Sequence, residues 1–272
     1  MCLLSIIIPN YNYGRFSDRF FSSIQGQTMS LDDVQILFVD DGSSDDSLEQ
    51  AGKWSGLIRC AGFEIFTPGR SGRPGPVRNF GLERAAGEYL VCLDPDDTFS
   101  PQFFEMSLGV LQSEQSVDLV YTDYQERGPG GCREVRLPDF KPLYLRNQNP
   151  VPPAAVFRRR LWEAGVRYRD NTSYEDWDFW IQCLMAGARF RHLAEILYTY
   201  EIHGSNFSRQ AEEDDGPSKA RIVLNNPGFF HDSVFQWARD HLRGRDYAPA
   251  FSRGYIPTAD DIEKVMALFR NK

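Results

Sequence analysis

Residues 34–47 read VQILFVDDGSSDDS. Val34 to Val39 form a β-rich, mostly apolar run without the alternation of a half-exposed strand, the pattern of a strand covered on both faces. The apolar character then stops at once. Asp40 and Asp41 open a turn of acids and small residues in which Ser44 or Asp45 can cap a following helix. Upstream, Leu3 to Pro9 is a second run of the same kind, and Phe16, Phe20, Phe21 and Ile24 recur at helical spacing up to Gly26. Strand, amphipathic helix, strand, with acids at the second strand's end, is a βαβ unit.

The unit repeats downstream. Phe63 to Phe66 reads as a short strand, TPGRSGRPGP as a Gly/Pro loop, Val77 to Ala86 as a helix and Tyr89 to Leu93 as another strand, so the chain is α/β. That last strand runs into DPDD, where Asp94, Asp96 and Asp97 cannot all be ionised together at a buried strand end unless something positive offsets their repulsion. In open α/β sheets ligands bind beyond the carboxyl ends of the strands, where Asp40, Asp41, Asp94, Asp96 and Asp97 all fall. Next come a helix from Pro101 to about Gln112, a strand from Leu119 to Thr122 and a turn at Gly128 to Gly131. SYEDWDFWIQCLMAGARF is a helix opened by Ser173 and acids, with Trp177, Trp180, Ile181 and Leu184 as its apolar stripe and Gly187 as its stop. EILYTYEIHGSNFSR gives a further strand and a polar loop with His203, Asn206 and Ser208; AEEDDGPS reads as a linker and FFHDSVFQWARDHL as an appended helix.

Composition narrows the function. With 272 residues, 42% hydrophobic and 25% charged, the chain has the balance of an ordinary globular protein. A net charge of -8 argues against nucleic acid as the main partner, because a phosphate backbone demands a basic face. Five cysteines without a C-x-x-C pair suit a reducing cytoplasm better than a disulfide framework or a structural zinc site. No apolar stretch approaches the roughly 20 residues of a membrane span. Arg158 to Arg160 are read as a solvated helix face, with contact to anionic lipid as the other reading.

Asp94, Asp96 and Thr98 also spell D-x-D-x-T, the nucleophile motif of haloacid-dehalogenase-like phosphatases. That chemistry needs a lysine and a later acidic pair at strand ends, and none of Lys141, Lys219, Lys264 and Lys272 follows a buried strand. Five other segments point elsewhere: SIIIPNYN, FVDDGSSDDS, GPVRNFGLERAAGEYLVCLDPDD, YEDWDFWIQCLMAG and YEIHGSNFS, in this order and spacing. Together they resemble glycosyltransferase family 2, over about Ser5 to Ser208.

The resemblance implies the GT-A fold: a single Rossmann-like nucleotide-binding domain with a mixed central sheet, over residues 1–210. An acidic linker and a small helical C-terminal extension follow, over 211–272. It implies inverting transfer of a sugar from a nucleotide diphosphate, UDP first and thymidine diphosphate second, to a glycan, lipid-linked or other hydroxyl acceptor. Under that reading Asp96 is the chief ligand of Mn2+ or Mg2+, with His203 on the metal or the diphosphate. Asp94 faces the ribose and Asp97 supports the cluster. Asp41 bonds the base edge, and Pro9 and Tyr11 line its face. Arg73 and Arg78 are phosphate contacts, although Arg78 pairing with a nearby Asp or Glu83 is an equal reading. Asp176 is the general base, with Glu175 beside it on donor or acceptor. A cytoplasmic site follows, with peripheral association at the inner membrane face as a further expectation. A module that keeps the fold without catalysis is the remaining alternative. GRSGRPGPVRN is richer in Gly, Pro and Arg than the family pattern, and the region Pro138 to Pro153 borders the acceptor side.

Overall fold

The computed structural model describes residues 2–204, 206–207 and 213–270. By packing, the chain divides into two compact units that interleave along the sequence. The first takes the chain up to Asp139, then Pro152–Arg167 and Ala188–His203; the second takes Phe140–Val151, Tyr168–Gly187 and the chain from Gly204.

The first unit is built on one mixed sheet. Its strands are β1 (Leu4–Asn10), β2 (Val34–Asp40), β3 (Gly62–Phe66), β4 (Tyr89–Cys92), β5 (Thr98–Phe99), β6 (Leu119–Gly128), β7 (Gly131–Val135), β8 (Val156–Arg158) and β9 (Phe190–Glu201). They lie in the order β3-β2-β1-β4-β8-β6-β9-β5, with β7 hairpinned onto β6. The first four are parallel, and Ile6 of β1 sits level with Ile36 of β2 and Val91 of β4. β8 then runs antiparallel to β4 and β6, while β9 returns parallel to β6 with a register shift at Asp123.

Both faces of the parallel half are covered, as the unalternating apolar runs require. On one face Leu4, Ile6 and Ile8 pack with Phe20, Phe21 and Ile24 of α1 (Ser17–Gln25), Trp54 of α2 (Ser47–Ser55) and Phe103, Phe104, Leu108 and Leu111 of α4 (Phe103–Ser113). Burying each such Phe or Ile is worth about 1.5–3 kcal/mol. The opposite face belongs to α3 (Pro74–Leu82), which approaches β1 so closely that a Cβ on Gly81 would stand 2.5 Å from Ile7 Cγ2.

The sequence reading starts the third helix at Val77 and ends it at Ala86, whereas α3 runs from Pro74 to Leu82. Proline at the first helical position lacks only an N–H that would be orphaned there. Beyond its end, the amides of Ala86 and Gly87 donate to the side chains of Gln35 and Ser5, both at 2.8 Å, so the ladder cannot continue. The expected solvated arginine face is also corrected. Arg158 is buried and donates to the carbonyls of Val117 and Leu111, Arg159 donates to those of Gly87 and Ala85, and Arg160 pairs with Asp118. The guanidiniums of Arg158 and Arg159 thus serve backbone carbonyls, while the exposed Arg160 serves a buried carboxylate.

In the second unit α6 (Glu175–Met185), which follows the short α5 (Arg159–Glu163) of the first, is all but encircled by packing: Trp177, Phe179, Trp180 and Ile181 are buried. Gly187 stops the helix with φ +86°, a conformation that a side chain disfavours. Where the acidic stretch reads as linker, residues 215–218 lie inside a helix, Asp215–Asn225, followed by helices Asp232–Leu242 and Ala259–Arg270. The acids have local partners: Asp214 accepts from Arg221, and Asp215 pairs with Lys219 one turn on. No described helix is long and apolar enough to cross a membrane.

Candidate functional site

Three neighbouring parallel strands end at the same edge of the sheet. β1 delivers Pro9, Asn10 and then Tyr11; β2 delivers Asp40 and Asp41; β4 leads into Asp94, Asp96 and Asp97. Strand order reverses between β1 and β4, the point at which open α/β sheets leave a crevice for a ligand.

In the first turn Asp40 and Asp41 play different parts. Asp40 builds, accepting from the amides of Gly42 and Ser43, the Ser43 hydroxyl and Asn10 Nδ2. Asp41 accepts at Oδ1 from Ser71 N at 2.5 Å and at Oδ2 from Gly72 N at 2.8 Å, which ties the Gly/Pro/Arg-rich loop to the end of β2. The same loop carries Arg70, whose guanidinium lies 3.6 Å over the exposed face of Tyr11. Arg73 stands at the N-cap of α3 and is half-buried.

In the second turn Asp97 N donates to Asp94 O at 3.1 Å, closing the loop. Buried Arg78 Nη2 meets Asp94 Oδ1 at 2.8 Å, so the structure brings Arg78 onto an aspartate, one of the two readings its position allows. Asp96, 4% exposed, accepts from His203 Nε2 at 2.9 Å. Burial pushes its carboxyl above the ordinary range, and the His203 bond only partly offsets this. Asp97, 1% exposed, accepts from Glu201 N, and burial together with the charges of Asp96 and Asp94 drives its carboxyl further up. These acids are held where their charge is costly, which is the arrangement a cation relieves. Among the described residues no three His, Cys, Asp or Glu side chains are set as a metal centre. Asp96 and His203 are an adjacent carboxylate and imidazole at this edge.

His203 is held by a box that the sequence reading missed. Its ring lies 4.7 Å from Phe16 and edge-on to Tyr13 at 5.8 Å, with Arg15 Nη2 3.5 Å from Nδ1. Arg19 donates to Asp96 O and pairs with Glu201. Tyr13 and Phe16 are legible only as helix-entry residues until β9 returns His203 beside them. Asn206 is buried, and Ser208 lies outside the described residues.

The second unit presents Glu175 and Asp176 in the first turn of α6. Glu175 is buried and Asp176 half-buried. Asp176 Oδ1 accepts from Trp177 N at 2.8 Å and Oδ2 from Asn149 Nδ2 at 3.0 Å. Trp177 and Trp180 are core, and their indoles donate to Leu145 O and Val151 O.

Residues 5–174 match Glycosyl transferase family 2. The chain belongs to that family. The phosphatase reading of D-x-D-x-T is thereby set aside. Chondroitin synthase of Pasteurella multocida (strain Pm70) is 26% identical over 272 residues, covering 97% of this chain and 27% of its own length, so the chain spans about a quarter of that relative. TarS of Staphylococcus aureus (strain Mu50 / ATCC 700699), a poly(ribitol-phosphate) beta-N-acetylglucosaminyltransferase, is 23% identical over 205 residues, covering 74% of this chain and 35% of TarS. The crystal structure of TarS 1-349 in complex with UDP-GlcNAc superposes with TM-score 0.69 at 20% identity, over 92% of this chain and 73% of that one. The mannosyltransferase PcManGT from Pyrobaculum calidifontis, in complex with GDP-Man and Mn2+, gives 0.62 at 15% identity, over 98% and 75%. The fold is thus GT-A, as the family resemblance implies.

Proposed function

We propose that the chain transfers a sugar, with inversion, from a UDP-linked donor to a hydroxyl of a glycan-type acceptor. The observation that carries this reading is the convergence of Pro9–Tyr11, Asp40–Asp41 and Asp94–Asp97 at the switch point of the sheet. Support for UDP comes from the TarS complex with UDP-GlcNAc, and for a glycan-type acceptor from the names of TarS and chondroitin synthase.

Tyr11 offers a ring face and Asp41 a carboxylate for the base, and the Arg70–Gly72 loop that touches both borders the same place. Arg78 holds Asp94, which faces the ribose, through its ion pair. Arg73 is set to meet a phosphate oxygen. The donor set suits a hard divalent cation, Mn2+ or Mg2+: Asp96 is buried, its ionised form is disfavoured without positive charge, and His203 adds a nitrogen ligand. When bound, the cation supplies positive charge against the departing diphosphate.

Asp176 takes the proton of the acceptor hydroxyl while that oxygen bonds the anomeric carbon and the bond to the diphosphate oxygen breaks; Glu175 orders the same helix start and faces donor or acceptor. All five cysteines are free thiols, which fits a reducing cytoplasmic setting, at the inner membrane face where the acceptor is lipid-linked.

Calorimetric titration with UDP tests the donor site. Binding is expected to weaken on adding EDTA and equally in Asp96→Ala; undiminished affinity in both would overturn the reading. Asp176→Asn is expected to keep UDP affinity and lose turnover by roughly 10²-fold or more.

A further inference from the structure

Asp176 is held from two sides. One carboxylate oxygen accepts from the helix-start amide of Trp177 at 2.8 Å, and the other accepts from Asn149 Nδ2 at 3.0 Å, a residue 27 positions earlier in the chain. The amide of Asn149 is itself oriented, because its Oδ1 accepts from Val151 N at 3.1 Å. Flipping it would set two donors against each other at Val151 and two acceptors at Asp176, so the network fixes which end faces the carboxylate.

The turn that carries Asn149 is anchored on both flanks. Before it, Leu145 O accepts from Trp177 Nε1 at 2.8 Å, and Asn147 exchanges two bonds of 2.9 Å with the backbone of Ile256. After it, buried Val151 accepts at its carbonyl from Trp180 Nε1 at 3.1 Å. Two tryptophans of α6 thus hold the segment that reaches back to the aspartate of the same helix. A surface asparagine that merely caps a turn needs no such anchorage.

We propose that Asn149 is a positioning residue for Asp176: its amide N–H fixes the plane of the carboxylate that accepts the acceptor's proton. This rests on Asp176 being the general base. A carboxylate oxygen can accept more than one bond, so the bond from Asn149 does not by itself stop Asp176 from taking the proton. Loss of the Asn149 donor removes a bond that orients the carboxylate, and a small misplacement of a reacting group is costly in rate.

The test compares Asn149→Ala with Asn149→Asp, reading turnover, donor KM and melting temperature on the same preparations. Asn149→Asp keeps the shape and the acceptor for Val151 N but replaces the donor with a second carboxylate facing Asp176. The positioning role predicts that kcat falls about tenfold or more in Asn149→Ala and further in Asn149→Asp, with donor KM unchanged in both. A role confined to the turn predicts the reverse order, with Asn149→Asp close to wild type. That order, or wild-type kcat in both variants, overturns the proposal. Asp176→Asn separates the two readings: if it turns over at the wild-type rate the base assignment fails, whereas an inactive Asp176→Asn beside a fully active Asn149→Asp removes only the positioning role. If Asn149→Asp melts early, Asn149→Ala decides by its split between kcat and KM.

Discussion

At the scale of single residues, the site is defined by where ionisation is made costly. Asp97 is the clearest case: burial first, then Asp96 and Asp94, raise its carboxyl well above the ordinary range. A carboxyl raised in the folded state contributes stability that is fully present below its unfolded value, about 3.9, and lost as pH rises through the folded value. Asp97→Asn cannot ionise, yet its side-chain oxygen still accepts from Glu201 N. In EDTA, the melting temperature of Asp97→Asn relative to wild type is therefore expected to climb as pH is raised from about 5 to about 8. Parallel melting curves across that range would show that Asp97 is not ionising against its surroundings. Asp94 of the same turn differs in having a buried guanidinium, that of Arg78, 2.8 Å from its carboxylate.

At the scale of elements, the start of α6 is set by a helix far along the chain. Thr172 Oγ1 donates to Ser218 O, Ser173 N to Ser218 Oγ, and Tyr174 OH to Asp215 Oδ1 at 2.7 Å. Asp178, fully buried one turn into α6, is met by Arg169 and Asn226. Behind Asp215 stands Lys219, with no exposed surface, its ammonium 2.6 Å from Asp215 Oδ2 and donating to the carbonyls of Ala250 and Ser252. Burial lowers the Lys219 pKa, and Asp215 offsets this in part. Asp215→Asn strands a buried charge and is expected to cost about 3–5 kcal/mol in chemical denaturation. A loss below about 1 kcal/mol, the range of an exposed pair, would mean that the seam is solvated.

At the scale of the whole chain, the packing units ignore sequence order. Residues Tyr168–Gly187 group with the chain from Gly204, not with the strands on either side of them in sequence. Amide hydrogen exchange is expected to report this: protection in 175–185 should follow that in 215–225 and fall with it in Asp215→Asn, while β1, β2 and β4 keep theirs. If 175–185 exchanges in step with β4 and is indifferent to Asp215→Asn, the grouping is wrong.

The sequence by itself determined the α/β class, the parallel half of the sheet and the acidic strand ends, because apolar runs without alternation and abrupt acid turns are local signals. It also carried the family, through five ordered segments. Only the tertiary structure decided the pairs: Arg78 on Asp94, His203 on Asp96, the Arg70 loop over Tyr11 and Asn149 on Asp176. Likewise it turned Arg158 and Arg159, which read as surface, into donors for backbone carbonyls, and an acidic linker into the start of a helix. Such pairings join residues from 16 to 107 positions apart, and no local pattern encodes which donor a given acceptor will meet. That choice is made when strands and helices pack, because each buried polar group must then find its partner within reach.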